Sequence, residues 1–141
     1  MPAINDIVER MIDWLGQQQL TPAPREITPV GLLPAAAYPQ VAVLVEGEEF
    51  APGDASVTAE LTLRVAHALG RPADAQAAVR DLAHQIRVAL NESHGLGGTV
   101  KRLRTGGISY EAQQPQRGVP PVIATASLTV ELKYCVAVVG K

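Results

Sequence analysis

The amino-acid sequence predicts an α+β domain with a mostly antiparallel, four-stranded sheet flanked by helices. Two stretches carry apolar residues three and four positions apart, which is the spacing of one helix face. Two other long stretches alternate apolar and polar residues, which is typical of strands with one buried face. With two weaker strand-like stretches, they predict the order helix, strand, strand, helix, strand, strand.

Length and composition agree with a small globular domain. The chain has 141 residues, which predicts one domain spanning 1–141. Hydrophobic residues make up 47% of the chain but aromatic residues only 4%, so the core must consist mainly of Val, Leu, Ile and Ala. Few aromatic side chains and a net charge of -2 argue against a general nucleic-acid or membrane surface. The chain shows no secretory signal or long apolar run, which predicts a soluble protein.

The two helical patterns cover Ile4–Leu20 and Arg71–Asn91. Pro72 and Asp74 favour a helix start in the second stretch, and Asn91 followed by several glycines favours its end. The apolar stripe of this second helix must be buried on the sheet. Its members are Ala75, Ala78, Val79, Leu82, Ile86, Ala89 and Leu90.

Four stretches are predicted to form strands. They are Tyr38–Glu46, Val57–Val65, Thr99–Tyr110 and Val122–Tyr134. We expect the first strand to end at Gly47 and to form an antiparallel hairpin with the second through a long loop. The third is expected to be interrupted by Gly106-Gly107, and a Gln- and Pro-rich loop, Gln113–Pro121, should follow it.

The remaining features of the sequence have structural interpretations. In the Pro-rich stretch Thr21–Pro39, Pro22, Pro24 and Pro29 prevent a continuous helix and predict an extended connection. Trp14 is expected to cover the edge of the core, although an exposed binding anchor is the alternative. Gly95-Leu96-Gly97-Gly98 follows a helix, which favours a chain reversal over a phosphate cradle. Cys135 lies in a strand-like run, which favours a packing role.

Candidate catalytic and metal-binding residues are few. The three histidines, His67, His84 and His94, are far apart in sequence and form no metal-ligand motif. Ser93 precedes a histidine directly, but adjacent residues rarely orient as nucleophile and base. The sequence therefore predicts no enzyme, no metal site and no cofactor.

Two charged clusters are the candidate interaction sites. The acidic cluster is predicted at the tip of the first hairpin and consists of Glu46, Glu48 and Glu49. The basic cluster follows the glycine-rich turn and consists of Lys101, Arg102 and Arg104. Such residues are often simply solvated. Two loops of opposite sign would also suit a ring in which each subunit presents one sign to the next.

Four segments, taken in order, resemble the tail terminator, or tail completion, proteins of long-tailed bacteriophages and prophages. They are YPQVAVLVEG, VTAELTLRVAHA, AAVRDLAHQIRVALNES with GLGG after it, and IATASLTVELKY. The resemblance spans about Ile4 to Val136 and rests on the order of elements and on apolar positions. The chain departs from the family in its Pro-rich stretch, because the family usually has a shorter opening.

This resemblance implies a minor tail protein that acts by assembly. Members of the family are small α+β domains that form a hexameric ring on the finished tail tube, stop its polymerisation and prepare the surface that joins the head. The implied partners are further copies of the chain, the tail-tube protein and the head-completion protein, with no cofactor, membrane or specific nucleic-acid site. The implied location is the cytoplasm of the bacterial host during assembly and afterwards the virion tail.

Two other functions remain compatible with the sequence. One is another phage neck or head-completion protein, which would also be small, acidic and oligomeric. The other is a small oligomeric module that binds a ligand between helix and sheet.

Overall fold

The computed structural model describes residues 3–21, 23–29, 39–51, 53, 55–69, 72–113 and 122–135. These residues form three helices and five strands. The elements are α1 (Ala3–Gly16), β1 (Glu26–Thr28), β2 (Gln40–Ala51), β3 (Ser56–Leu69), α2 (Pro72–Asn91), α3 (His94–Gly98), β4 (Arg102–Gln113) and β5 (Val122–Cys135).

The five strands form one sheet in the spatial order β1-β2-β3-β5-β4. β1 is parallel to β2, and the other neighbouring pairs are antiparallel. The α+β class and the hairpin of β2 and β3 are therefore confirmed. The prediction of four strands is wrong, because three residues of the Pro-rich stretch, Glu26–Thr28, form a fifth strand. Residues 22, 30–38 and 114–121, which belong to the predicted connections, lie outside the described part of the chain.

One face of the sheet carries the hydrophobic core. The predicted apolar positions of β3, and those of β5 from Ala124 to Tyr134, are buried. Pairs such as Leu61 opposite Val130 and Leu63 opposite Leu128 align them across the strands. Full burial of each such side chain contributes about 1.5–3 kcal/mol. The polar positions between them lie on the other face, which confirms the prediction of one-sided strands.

Both long helices bury their apolar stripes in this core. The buried residues of α1 are Ile4, Ile7, Val8, Met11 and Leu15, and those of α2 are Ala75, Val79, Leu82, Ala83, Ile86, Ala89 and Leu90. The predicted stripe of α2 is confirmed except at Ala78, which is half-buried. Leu20 is also buried, although α1 ends at Gly16 rather than at Leu20 as predicted.

Hydrogen bonds join α1 and the segment after it to α2. The Trp14 indole packs against the core and donates from Nε1 to the Ala89 carbonyl over 3.0 Å. The backbone of Thr21 exchanges two hydrogen bonds with the Gln85 side-chain amide, at 2.9 and 2.7 Å. Trp14 therefore covers the edge of the core, as predicted, and does not project as a free anchor.

The glycine-rich segment after α2 reverses the chain, as predicted. His94, Gly95, Leu96 and Gly97 all have positive φ angles, which gives α3 a left-handed turn. Leu96 is buried beneath this turn, and Ser93 accepts a hydrogen bond from its backbone N–H over 3.1 Å. Left-handed geometry is costly outside glycine, so the buried Leu96 and the cap offset that cost.

Three local predictions need correction. β2 does not end at Gly47 but continues to Ala51, because a bulge at Glu46 shifts the register and Gly47 pairs with Glu60. The predicted long loop of the hairpin is correspondingly short. Cys135 is exposed rather than packed, because strand alternation buries Tyr134 and turns the next side chain to the other face. In β4, a register shift between Thr105 and Ile108 confirms the predicted interruption.

Candidate functional site

The sheet face opposite α1 and α2, which we call the open face, carries polar side chains. Those of β3 and β5 are half-buried or exposed: Thr58, Glu60, Thr62, Arg64, Thr125, Ser127, Thr129, Glu131 and Lys133. Towards β1 the same face is closed, since Gln40, Ala42 and Ala66 are fully buried. These three residues lie at one end of β2 and β3. The accessible part of the open face therefore lies at the opposite end of these strands, where β2 and β3 form their hairpin.

The predicted charged clusters lie at this accessible end, but mostly in strands rather than in loops. The acidic cluster belongs to β2, because the strand extends past Gly47. In the basic cluster, Arg102 and Arg104 belong to β4, while Lys101 precedes the strand and donates its backbone N–H to the Lys133 carbonyl over 2.8 Å. The charged side chains are exposed at both places.

The register places the two clusters at opposite edges of the same sheet rows. One row runs from Arg102 through Lys133 and Thr58 to Glu49. The ends of this row are three strand spacings apart, which is about 14 Å. The structure thus brings the clusters to one end of the molecule but does not bring them into contact within one chain.

The acidic residues differ in their surroundings. Glu48 is turned to the core side, where its Oε1 accepts a hydrogen bond from the Tyr134 hydroxyl over 2.8 Å. Burial, together with this hydrogen bond and the charge of Glu48, raises the pKa of Tyr134 to about 12. Glu46 lies at the bulge, and Glu49 lies on the open face. All three are exposed, but Glu46 and Glu49 carry the negative charge of β2 that is not engaged with Tyr134.

An acidic groove extends from β2 across the open face. It has a volume of about 320 Å³ and is lined by Glu49, Glu60 and Glu131, with Gly47, Glu48 and Thr58. Glu60 and Glu131 lie directly opposite each other, an arrangement that is unfavourable for like charges. Arg102 offsets part of this repulsion through an ion pair with Glu131 at 3.4 Å. The side of the groove next to β2 therefore remains negatively charged.

Two exposed apolar side chains lie beside the acidic residues of β2, and the sequence did not identify them as candidate site residues. Phe50 and Val45 of β2 are 57% and 41% exposed. Interleaved glutamates gave this segment the composition of a solvated loop, so the sequence contained no signal of strand structure there. A further groove of about 520 Å³ lies between α1 and this part of β2, beside Val8, Val43 and Val45.

Both edges of the sheet have strand backbone without a strand partner among the described residues. β1 pairs only with Gln40–Ala42, so Val43–Ala51 has no described neighbour on that side. At the other edge, β4 pairs with β5 alone within the described sheet. Alternate N–H and C=O groups of such edges are available to another strand.

The histidines do not converge on a site in the described part of the chain. The His67 Nδ1 atom is buried without a hydrogen-bond partner, and burial and the charge of Arg25 hold the pKa of His67 below its ordinary value. His84 lies 3.4 Å from the Tyr110 hydroxyl on the surface. No group of three or more His, Cys, Asp and Glu side chains among the described residues could hold a metal ion. None of the described helices is long and apolar enough to cross a membrane.

Comparisons of the chain with protein-family models and with curated proteins found no match.

Proposed function

We propose that this chain is a structural virion assembly protein that caps a phage tail tube, ends its polymerisation and presents the head-joining surface. The observation that carries the proposal is the placement of opposite charges at the two edges of one sheet, with Glu49 at one end of a row and Arg102 at the other. Such a molecule is complementary to further copies of itself, as a ring subunit must be.

The order of elements supports the same proposal. A helix precedes the β2–β3 hairpin, a long helix follows it, and two antiparallel strands close the sheet. This is the order on which the resemblance to tail terminators rests, with β1 as an addition. In this function the chain forms a hexameric ring whose partners are the tail-tube and head-completion proteins.

Tail length tests the proposal directly. We would delete the gene in the phage or prophage that encodes the chain, induce the lysate and measure tails by electron microscopy. A tail terminator is needed to stop tube growth, so the expected result is overlong tails without heads. Supplying the intact gene from a plasmid should restore tails of uniform length.

The outcome separates this function from its rivals. Headless tails of normal length would indicate another neck or head-completion protein and overturn the capping proposal. Normal virions, or a gene that lies outside any tail-gene cluster, would favour the ligand-binding module instead.

A further inference from the structure

We propose that copies of this chain associate by continuing the sheet, with the first half of β4 in one copy pairing antiparallel to residues 47–50 of β2 in the next. The proposal deepens the self-association that is part of the proposed function, and it rests on that part of it. It names the partner, a second copy of the chain, and the two strand edges that meet.

The directions of the strands allow this pairing. β4 is antiparallel to β5, β5 to β3, and β3 to β2. β4 therefore runs opposite to β2, and a second copy in the same orientation presents its β2 antiparallel to the first copy's β4. The open face of one copy then continues into the open face of the next.

Charge selects which edges meet. If two copies met through their β2 edges, Glu46 and Glu49 of one copy would face Glu46 and Glu49 of the other. If they met through their β4 edges, Lys101 and Arg104 of the two copies would face each other. Like charges that face each other across strands are unfavourable, whereas opposite charges stabilise the pair and steer its formation. The edges consequently favour a head-to-tail contact, which generates a ring or a filament rather than a two-fold dimer.

One register satisfies the charges and uses the exposed aromatic ring. With Arg102 opposite Glu49 of the next copy, Arg104 lies opposite Gly47, where the absence of a side chain leaves room for the guanidinium beside the acidic groove. Lys101 then lies opposite Phe50, which is 57% exposed in the isolated chain. An ammonium group over a phenyl ring adds a favourable cation–π contact.

β1 gives this contact an angle. It adds one strand width outside β2, but only beside Gln40–Ala42. In the assembly, β1 of one copy separates the start of its own β2 from the second half of β4 in the neighbouring copy. The first half of that β4 pairs directly with residues 47–50 of β2. The interruption at Gly106-Gly107 separates these halves. Successive copies are therefore rotated relative to one another, as closure of a ring requires.

Disulfide trapping tests the pairing in purified protein. The background is Cys135→Ser, which removes the exposed native thiol. One variant adds Glu49→Cys and another adds Arg102→Cys. These two positions are about 14 Å apart within a chain, too far for an internal disulfide, but directly opposite residues of paired strands have Cβ atoms about 5 Å apart.

Mild oxidation of a mixture of the two variants should give a covalent dimer, while each variant alone should remain mainly monomeric on a denaturing gel. The matched control replaces Arg102→Cys by Glu111→Cys, which lies on the same face of β4 beyond the interruption. Equal cross-linking of the control mixture, or of either single variant alone, would contradict the proposal. So would the absence of cross-linking in the main mixture.

Charge exchange provides a second, non-covalent test. Lys101→Glu with Arg104→Glu makes both edges acidic, and Glu46→Lys with Glu49→Lys makes both basic, while the contacts of Arg102 and Glu48 are retained. Each double variant should lose self-association at least tenfold, and an equimolar mixture should recover it. Arg10→Glu with Arg80→Glu changes the net charge as much as Lys101→Glu with Arg104→Glu does, but on the helices, and this control should associate normally. Unimpaired association of both double variants, or no recovery on mixing, overturns the pairing.

The two proposals fail in distinguishable ways. If the edges cross-link as expected but deletion of the gene leaves tail length normal, the capping function is wrong and the edge pairing stands. If tails lose length control while purified copies associate without these edges, the edge pairing alone is wrong. A chain that stays monomeric at every concentration tested also overturns the edge pairing.

Discussion

Tyr134 connects the outer strand β2 to β5 across the intervening strand β3. Its hydroxyl reaches Glu48, although Val57 and Ala59 of β3 lie between the two strands. The small, fully buried side chain of Ala59 leaves space for this contact. The hydrogen bond holds the acidic part of β2 in the plane of the sheet, where its outer edge remains available.

Removal of this hydroxyl should weaken the fold. Tyr134→Phe keeps the ring but removes the donor to Glu48, and a hydrogen bond to a charged acceptor contributes about 1.5–3 kcal/mol. We expect the free energy of unfolding to fall by about that amount in urea denaturation at neutral pH. Tyr110→Phe is the control, because the Tyr110 side chain is exposed and its change should stay within about 0.5 kcal/mol. Equal effects of the two variants would contradict the role of the Glu48 contact.

The same residue predicts a loss of stability in alkali. The pKa of Tyr134 is raised from 10.0 to about 12 in the folded chain, so the unfolded chain releases this proton more readily. The stabilisation is fully present below pH 10 and is lost as the pH rises from 10 towards 12. Wild type should therefore lose more stability over this range than Tyr134→Phe. Parallel pH profiles of the two proteins would count against the pKa assignment.

At the scale of elements, the left-handed turn of α3 sets the entry of the chain into β4. The Ser93 hydroxyl connects the end of α2 to this turn. It donates a hydrogen bond to the Leu90 carbonyl over 2.6 Å and accepts one from the Leu96 N–H over 3.1 Å. Val100 N–H then donates to the Gly95 carbonyl over 3.1 Å. These bonds place the basic cluster immediately after the turn.

Two glycines of this turn give a matched comparison. Gly95 and Gly97 have similar φ angles of 67° and 71°, but a Cβ at Gly95 would lie 2.6 Å from the Val100 carbonyl oxygen, whereas Gly97 has open space. Gly97→Ala should cost about 1 kcal/mol of unfolding free energy for its left-handed backbone alone. Gly95→Ala should cost at least about 2 kcal/mol, because the carbonyl must also move. Thermal or urea unfolding measures which variant loses more unfolding free energy. Equal losses would show that the backbone of the turn adjusts to a Cβ at Gly95 without additional cost.

The buried fraction of each element determines how well the sequence predicts that element. The alternation in β3 and β5 and the stripe of α2 identified long elements correctly, because each buries one whole face against the core. β1 was missed because it has three residues, of which Thr28 alone is buried, too few to produce a pattern. The start and end of α2 were predicted well, since Pro72 and the glycines after Asn91 act locally.

The candidate surface was predicted less completely than the core. The sequence identified the charged residues, but their placement at opposite edges depends on strand order, which no local pattern encodes. The part of β2 after Gly47 has no buried residue, so its strand structure follows only from backbone pairing with β3. Tertiary context therefore determines which edge each charge occupies.

At the scale of the whole molecule, the sheet is polarised along its strand order. β2 carries negative charge and β4 carries positive charge, so the two edges of the sheet differ in sign although the net charge is only -2. The helices cover one face for every copy, so that the open faces of assembled copies would form one continuous polar surface. In the proposed function, this surface is common to all subunits of the ring.

The edge pairing predicts that self-association weakens as salt is added. The matched charges at Glu49 and Arg102 are exposed, and the Debye length falls from about 10 Å at 0.1 M to about 3 Å at 1 M ionic strength. We expect the apparent dissociation constant to rise roughly tenfold over this range in sedimentation velocity experiments. A chain with Glu49→Gln and Arg102→Gln lacks this matched pair, and its self-association should depend less on salt. Association that strengthens with salt would instead indicate an apolar contact through Phe50 and Val45, because excluded salts favour apolar burial.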